Sequence, residues 1–127
     1  MFIRRKTRLN TDVINALRML SSIERIQKWT KDIPDHIEKT NDNHVVWKYD
    51  DFDKQKLIYE FYLMQCTEQT EYCTEIQLLL KAVDEQEPPN DSGIQKAERV
   101  LEDIRFKFNQ SWIIEDKDLN SSLLKTR

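Results

Sequence analysis

The chain has 127 residues and a mass of 15.4 kDa, the size of one domain that can bury a core without staples. It is 39% hydrophobic and 34% charged, too apolar for a disordered chain and too charged for a membrane protein. Its formal net charge is −3, which disfavours a dedicated nucleic-acid binder, since those carry a basic surplus.

The single glycine, Gly93, argues against phosphate-cradling and dinucleotide loops, which need several. No run reaches the ~18 apolar residues of a membrane span. No apolar stretch follows the basic N-terminus, so a secretory signal is not expected and a cytoplasmic location is.

Residues 2–9 (FIRRKTRL) read as a strand. Ile3, Thr7 and Leu9 share one parity, while Phe2, Arg4, Lys6 and Arg8 share the other, which puts a basic face outward. Asn10 or Thr11 caps a helix that carries Val13, Ala16, Leu17 and Leu20 at helical spacing. Ser22 caps a second short helix through Ile23, Ile26 and Trp29, and Pro34 ends anything helical before it. Residues 35–40 form a weak strand, and Asn41-Asp42-Asn43 is turn chemistry. His44 to Tyr49 is a clear strand with Val45, Trp47 and Tyr49 on one face, followed by a turn from Asp50 to Lys54.

The strongest local signal is a hairpin from Leu57 to Ala82. With the turn centred between Gln69 and Thr70, Leu63 faces Ile76, Phe61 faces Leu78, Tyr59 faces Leu80 and Leu57 faces Ala82. Every pair on that face is apolar. The other face pairs Met64 with Glu75, Tyr62 with Gln77 and Ile58 with Lys81. A slip of one residue would scramble the two faces, so the register is self-consistent. The same register sets Cys66 opposite Cys73 on the outer face, and a reducing cytoplasm predicts free thiols there.

Asp84 to Asp91 is an acidic loop containing Pro88 and Pro89. Ser92 and Gln95 form a capping box for a long helix to about Ile114. Its apolar stripe is Ile94, Ala97, Leu101, Ile104, Phe108 and Ser111/Trp112, widened by Val100. One domain is expected over residues 1–114, with a polar, flexible tail over 115–127. The economical α+β arrangement lays the long helix across the concave face of a curved antiparallel sheet of about five strands, with two short helices after the first strand.

This order resembles the helix-grip (SRPBCC) superfamily, which holds the birch-pollen allergen, START lipid-transfer domains, polyketide cyclases and activators of the heat-shock chaperone ATPase. The local resemblance is strongest over Ala16–Trp29, where Glu24-Arg25 and Trp29 match a run in the chaperone-activator branch and Ile23 stands in place of its usual Pro. Thr70 is similar to the Thr that opens a late strand in that branch. The pattern covers roughly residues 2–114. The sequence departs from it in having five strands instead of six or seven, and in lacking glycines in the early strands. The resemblance implies an apolar cavity between sheet and helix.

Trp29, Trp47, Tyr49, Tyr59, Phe61, Leu78, Ile104 and Phe108 are therefore the candidate ligand-binding residues, with Trp112 in the same aromatic set. Tyr and Trp combine an apolar wall with one polar handle, which suits a hydrophobic, lipid-like or polyketide-like ligand; the competing reading is an ordinary core. In the latter case the chain is a protein-interaction module with a filled interior, using an exposed sheet face or the tail. The inward faces carry no acid/base pair beyond tyrosine hydroxyls, so no catalytic residue is assigned. His36 and His44, with Asp35, Glu38 or Asp42, lack ligand spacing and read as turn histidines; Asp50-Asp51-Phe52-Asp53 reads as a hairpin turn. No metal or cofactor is expected.

Overall fold

The computed structural model describes the backbone of residues 2–52, 54–66 and 73–124, and the side chains of these segments up to residue 108. Its elements are β1 (Phe2–Leu9), α1 (Val13–Leu20), α2 (Ile23–Ile26), β2 (His36–Asn41), β3 (His44–Phe52), β4 (Gln55–Gln65), β5 (Thr74–Ala82) and α3 (Asp91–Leu124). The strands form one open antiparallel sheet in the order β1-β5-β4-β3-β2. The two short helices carry the chain from the β1 edge to the β2 edge. The meander β2 to β5 then returns until β5 pairs with β1. No helix among the described residues is long and apolar enough to cross a membrane.

The β4–β5 register is the predicted one, residue for residue: Leu57 pairs with Ala82, Tyr59 with Leu80, Phe61 with Leu78 and Leu63 with Ile76. That face is buried, whereas its alternate residues are half-buried or exposed. Period-two patterning decides this, because a slip of one residue would expose every apolar side chain on the inner face. The predicted turn at Gln69 and Thr70 lies outside the described residues. Val45, Trp47 and Tyr49 of β3 extend the same inner face, opposite Phe61, Tyr59 and Leu57. The strand runs on to Phe52, so the predicted turn narrows to the link between Phe52 and Gln55. There Lys54 adopts a positive φ of 68°, a conformation L-residues seldom take.

The helical stripe also follows expectation. Ala97, Val100, Leu101 and Ile104 are buried, and Ile94 and Phe108 pack against them from the ends. The helix start differs. Asn90, not Ser92, is the cap, since its Oδ1 accepts the Gly93 N–H at 2.7 Å. Asn90 is also held to the β3–β4 turn: its N–H donates to Gln55 Oε1 at 2.8 Å, and its side-chain amide donates to the Phe52 carbonyl at 3.3 Å. Glycine is needed at 93 because a Cβ there would lie 2.6 Å from Leu57 Cδ1, and Leu57 is fully buried. At α1 the cap is likewise displaced, from Asn10 or Thr11 to Asp12, which accepts the Asn15 N–H at 2.8 Å.

Two further departures concern charge and sulfur. Arg5 shares the parity of Ile3, Thr7 and Leu9, so one basic residue of β1 lies on the inner side. There it reaches Glu98 of α3 at 3.5 Å, which an edge strand permits because its inner face borders solvent. Cys66 and Cys73 are opposed as predicted but are joined by a disulfide, not free. Cross-strand opposition sets their Cα atoms 5.4 Å apart, within the range a disulfide spans without backbone movement.

Phe61→Ala should lower unfolding free energy by about 3–5 kcal/mol in urea denaturation, because its ring is fully buried. Met64→Ala, on the other face of the same strand and half exposed, should stay within about 0.5 kcal/mol of the parent. Equal losses at the two positions would mean that the sheet does not sort them by face.

Candidate ligand-binding site

Seven of the eight predicted wall residues belong to one buried cluster, and the eighth, Phe108, packs against it. Trp47, Tyr59, Phe61, Leu78 and Ile104 have 0% exposure. The rings touch one another: Trp47 and Phe61 have centroids 4.7 Å apart, Tyr49 and Tyr59 4.9 Å, and Trp29 and Trp47 5.9 Å. These separations fall in the ordinary range of packed aromatic pairs. Trp112 lies outside the residues whose side chains are described.

The polar handles of these rings have specific partners. Trp29 Nε1–H donates to the Met19 carbonyl at 3.1 Å, and Trp47 Nε1–H to the Leu20 carbonyl at 2.8 Å. Both acceptors lie in the last turn of α1, whose carbonyls have no partner within the helix. Ser21 Oγ–H takes a third, that of Leu17. The Tyr49 hydroxyl donates to the Asp32 carbonyl, and that of Tyr59 to Gly93 at 3.2 Å. Burial raises both phenol pKa values well above the ordinary 10.0, assisted at Tyr49 by Tyr59, Asp32 and Asp35, and at Tyr59 by Asp32. The hydroxyls therefore remain donors across the neutral and mildly alkaline range.

Beside Tyr49, at the edge of this aromatic layer, a cleft of about 550 Å³ opens between the first turns of α3 and the segment before β2. Asp32, Ile33, Phe52 and Lys96 are among its lining residues. The Asp32 side chain is only 8% exposed, and its Oδ2 is buried with no hydrogen-bond partner. Lys96 Nζ stands 3.9 Å from Oδ1 and Arg99 Nη1 4.0 Å from Oδ2. Both cations come from α3, three residues apart and flanking Ala97. The Phe52 ring, 4.7 Å from Lys96 Nζ, helps hold the ammonium over the cleft.

The histidines engage separate carboxylates. His36 Nε2 lies 2.8 Å from Asp50 Oδ2. His44 stacks on Tyr62 with centroids 4.2 Å apart and meets Thr40 through Nδ1. Its Nε2 is 3.3 Å from Glu60 Oε1, and the other oxygen of Glu60 is 3.2 Å from Lys81 Nζ. Among the described residues no three His, Cys, Asp or Glu side chains could hold a metal.

Asp32, Lys96 and Arg99 were not singled out from sequence. Asp32 sits in an irregular segment ahead of Pro34, where no periodicity marks it. Lys96 and Arg99 do border the apolar stripe of α3, and their spacing was the available sign of a cationic flank. No protein-family model matches the chain, and no curated protein matches it.

The tyrosines set an alkaline limit on stability. The unfolded chain releases these protons near pH 10.0, whereas the folded chain keeps them. The unfolded state then binds fewer protons, so unfolding free energy should fall as pH rises past 10.0. Tyr59→Phe should flatten that fall, and phenolate absorbance from Tyr59 should emerge only on unfolding. Ionisation of Tyr59 in the folded protein near pH 10.0 would contradict its burial.

Proposed function

We propose that this chain is a binding module that holds a small ligand in the cleft between α3 and the segment before β2, at the mouth of the sheet–helix layer. The observation that carries the reading is Asp32, a nearly buried carboxylate facing two cations beyond hydrogen-bond reach and left with an unpartnered oxygen. Buried polar atoms in folded proteins nearly always have partners; Asp32 is an exception, and its other oxygen, Oδ1, faces Lys96 in the lining of the cleft.

The sequence favours a hydrophobic ligand between sheet and helix, entering near Pro88 and Pro89. The cleft adjoins that entrance: Gln55 Nε2 donates to the Pro88 carbonyl at 2.9 Å, and Asn90 ties the start of α3 to the same turn. The indole and phenol donors of Trp29, Trp47, Tyr49 and Tyr59 are engaged by backbone carbonyls. An interior ligand would have to displace those bonds as well as the packed rings, which supports the mouth as the site. A ligand there would set a polar group toward Asp32 and Lys96 and an apolar part against Ile33 and Phe52.

The second reading is a protein-interaction module using the outer face of the sheet. It is favoured by apolar groups on that face, where Phe2 and Met64 are each 54% exposed and the half-buried Ile58 and Leu79 stand between charged neighbours. Location turns on the cysteines: a cytoplasmic placement requires Cys66 and Cys73 to be reduced there, which alkylation in intact cells reads directly.

A fragment panel followed through backbone amide shifts separates the two functional readings. Hits should move Ile33, Phe52, Ser92 and Lys96, and Lys96→Glu should abolish those shifts while the melting temperature holds. Shifts confined to the outer strand positions around Ile58 and Leu79 would move the site to the sheet face.

A further inference from the structure

The chemistry of the cleft narrows its ligand to one class, an inference that rests on the cleft being the binding site. Three carboxylates line it, and two are engaged by the backbone: Asp35 Oδ2 accepts the Asp50 N–H at 2.8 Å, and Asp51 Oδ1 accepts the Lys54 N–H at 3.0 Å. Asp32 has no such bond. Its cations stand at 3.9 and 4.0 Å, beyond the ~2.7–2.9 Å of a charge-assisted hydrogen bond.

A gap of that width between a carboxylate oxygen and an ammonium nitrogen is spanned by one oxygen atom at hydrogen-bond distance from both. That atom must accept from Lys96 and donate to Asp32. A hydroxyl does both; an ionised ligand carboxylate has no proton to donate, a ligand ammonium has no lone pair to accept with, and a hydrogen phosphate, which could do both, brings negative charge to a cleft lined by three carboxylates. Charge points the same way. Asp32, Asp35 and Asp51 share the lining with Lys31 and Lys96, and Arg99 stands beside Asp32, so neither an anion nor a cation meets a field of one sign. Ile33, 38% exposed, and the edge of Phe52 offer apolar surface for carbon-bound hydrogens.

We propose that the cleft binds a neutral polyol, a small ring or chain bearing adjacent hydroxyls, with one hydroxyl bridging the Asp32 carboxylate and the Lys96 ammonium. Its carbon skeleton rests on Ile33 and Phe52. The selectivity is against charged ligands of similar size.

The test is amide-shift titration of the isotopically labelled full chain with four probes: glucose, myo-inositol, glycine betaine and inorganic phosphate. Glucose or myo-inositol should give saturable shifts at Ile33 and Lys96, and betaine and phosphate none. Asp32→Asn, which keeps the backbone carbonyl that accepts from Tyr49, should raise the polyol Kd about tenfold or more, and Lys96→Met should do the same. Should Asp32→Asn lose its fold by circular dichroism, Lys96→Met decides. Saturation by betaine or phosphate with no polyol response would overturn the ligand class while leaving the site in place. Silence at the cleft with all four probes would overturn both.

Discussion

Among the described residues four buried aromatic side chains carry a polar atom each, and none can be buried without an acceptor. This requirement organises the molecule. Trp29 and Trp47 donate to the last turn of α1, Tyr49 to the segment before β2, and Tyr59 to the first turn of α3. An unpartnered buried donor costs about 1–3 kcal/mol. Four of them together would match much of the ~5–15 kcal/mol that holds a domain folded. The sheet thus dictates, through rings projecting from β3 and β4, where the end of α1 and the beginning of α3 must sit. The last turn of α1 leaves carbonyls without intrahelical partners, so there the two needs meet.

The proposed site accordingly lies at the edge of this layer and not inside it. Rings that sequence reasoning assigned to a ligand's walls bind one another and the backbone. Polar capacity left without a hydrogen-bond partner occurs at the edge of this layer, where Asp32 faces Lys96 and Arg99. The Tyr49 bond to the Asp32 carbonyl links the two regions, since the ring that helps fill the core also pins the backbone of the residue that lines the cleft. A ligand at Asp32 would act on a residue anchored to the buried core.

What could be read from sequence follows from how many residues share one signal. The β4–β5 register was legible because four apolar pairs agree on it and a slip breaks all of them at once. The α3 stripe was legible because it repeats over several turns. Caps were misplaced because a cap is one residue, and Asp12 and Asn90 compete with polar neighbours that look equally suited. Arg5 escaped because the inner face of an edge strand borders solvent, where a charge can reach Glu98. The cysteines were placed correctly and their bonding was not, because opposition is a matter of register while oxidation depends on surroundings. Asp32 was invisible for a different reason: its partners come from a helix more than sixty residues further along the chain, brought there only by the fold.

Hydrogen exchange at the Trp47 indole N–H tests the central claim, that the aromatic layer is filled and locked to the backbone, most directly. This proton should exchange only through global unfolding, at the free energy measured by denaturant, and its resonance should stay fixed when a ligand shifts Ile33 and Lys96. Exchange through low-energy local opening, or a shift of the indole signal on adding a hydrophobic ligand, would mean that the space between sheet and helix opens, and would return the site to the interior.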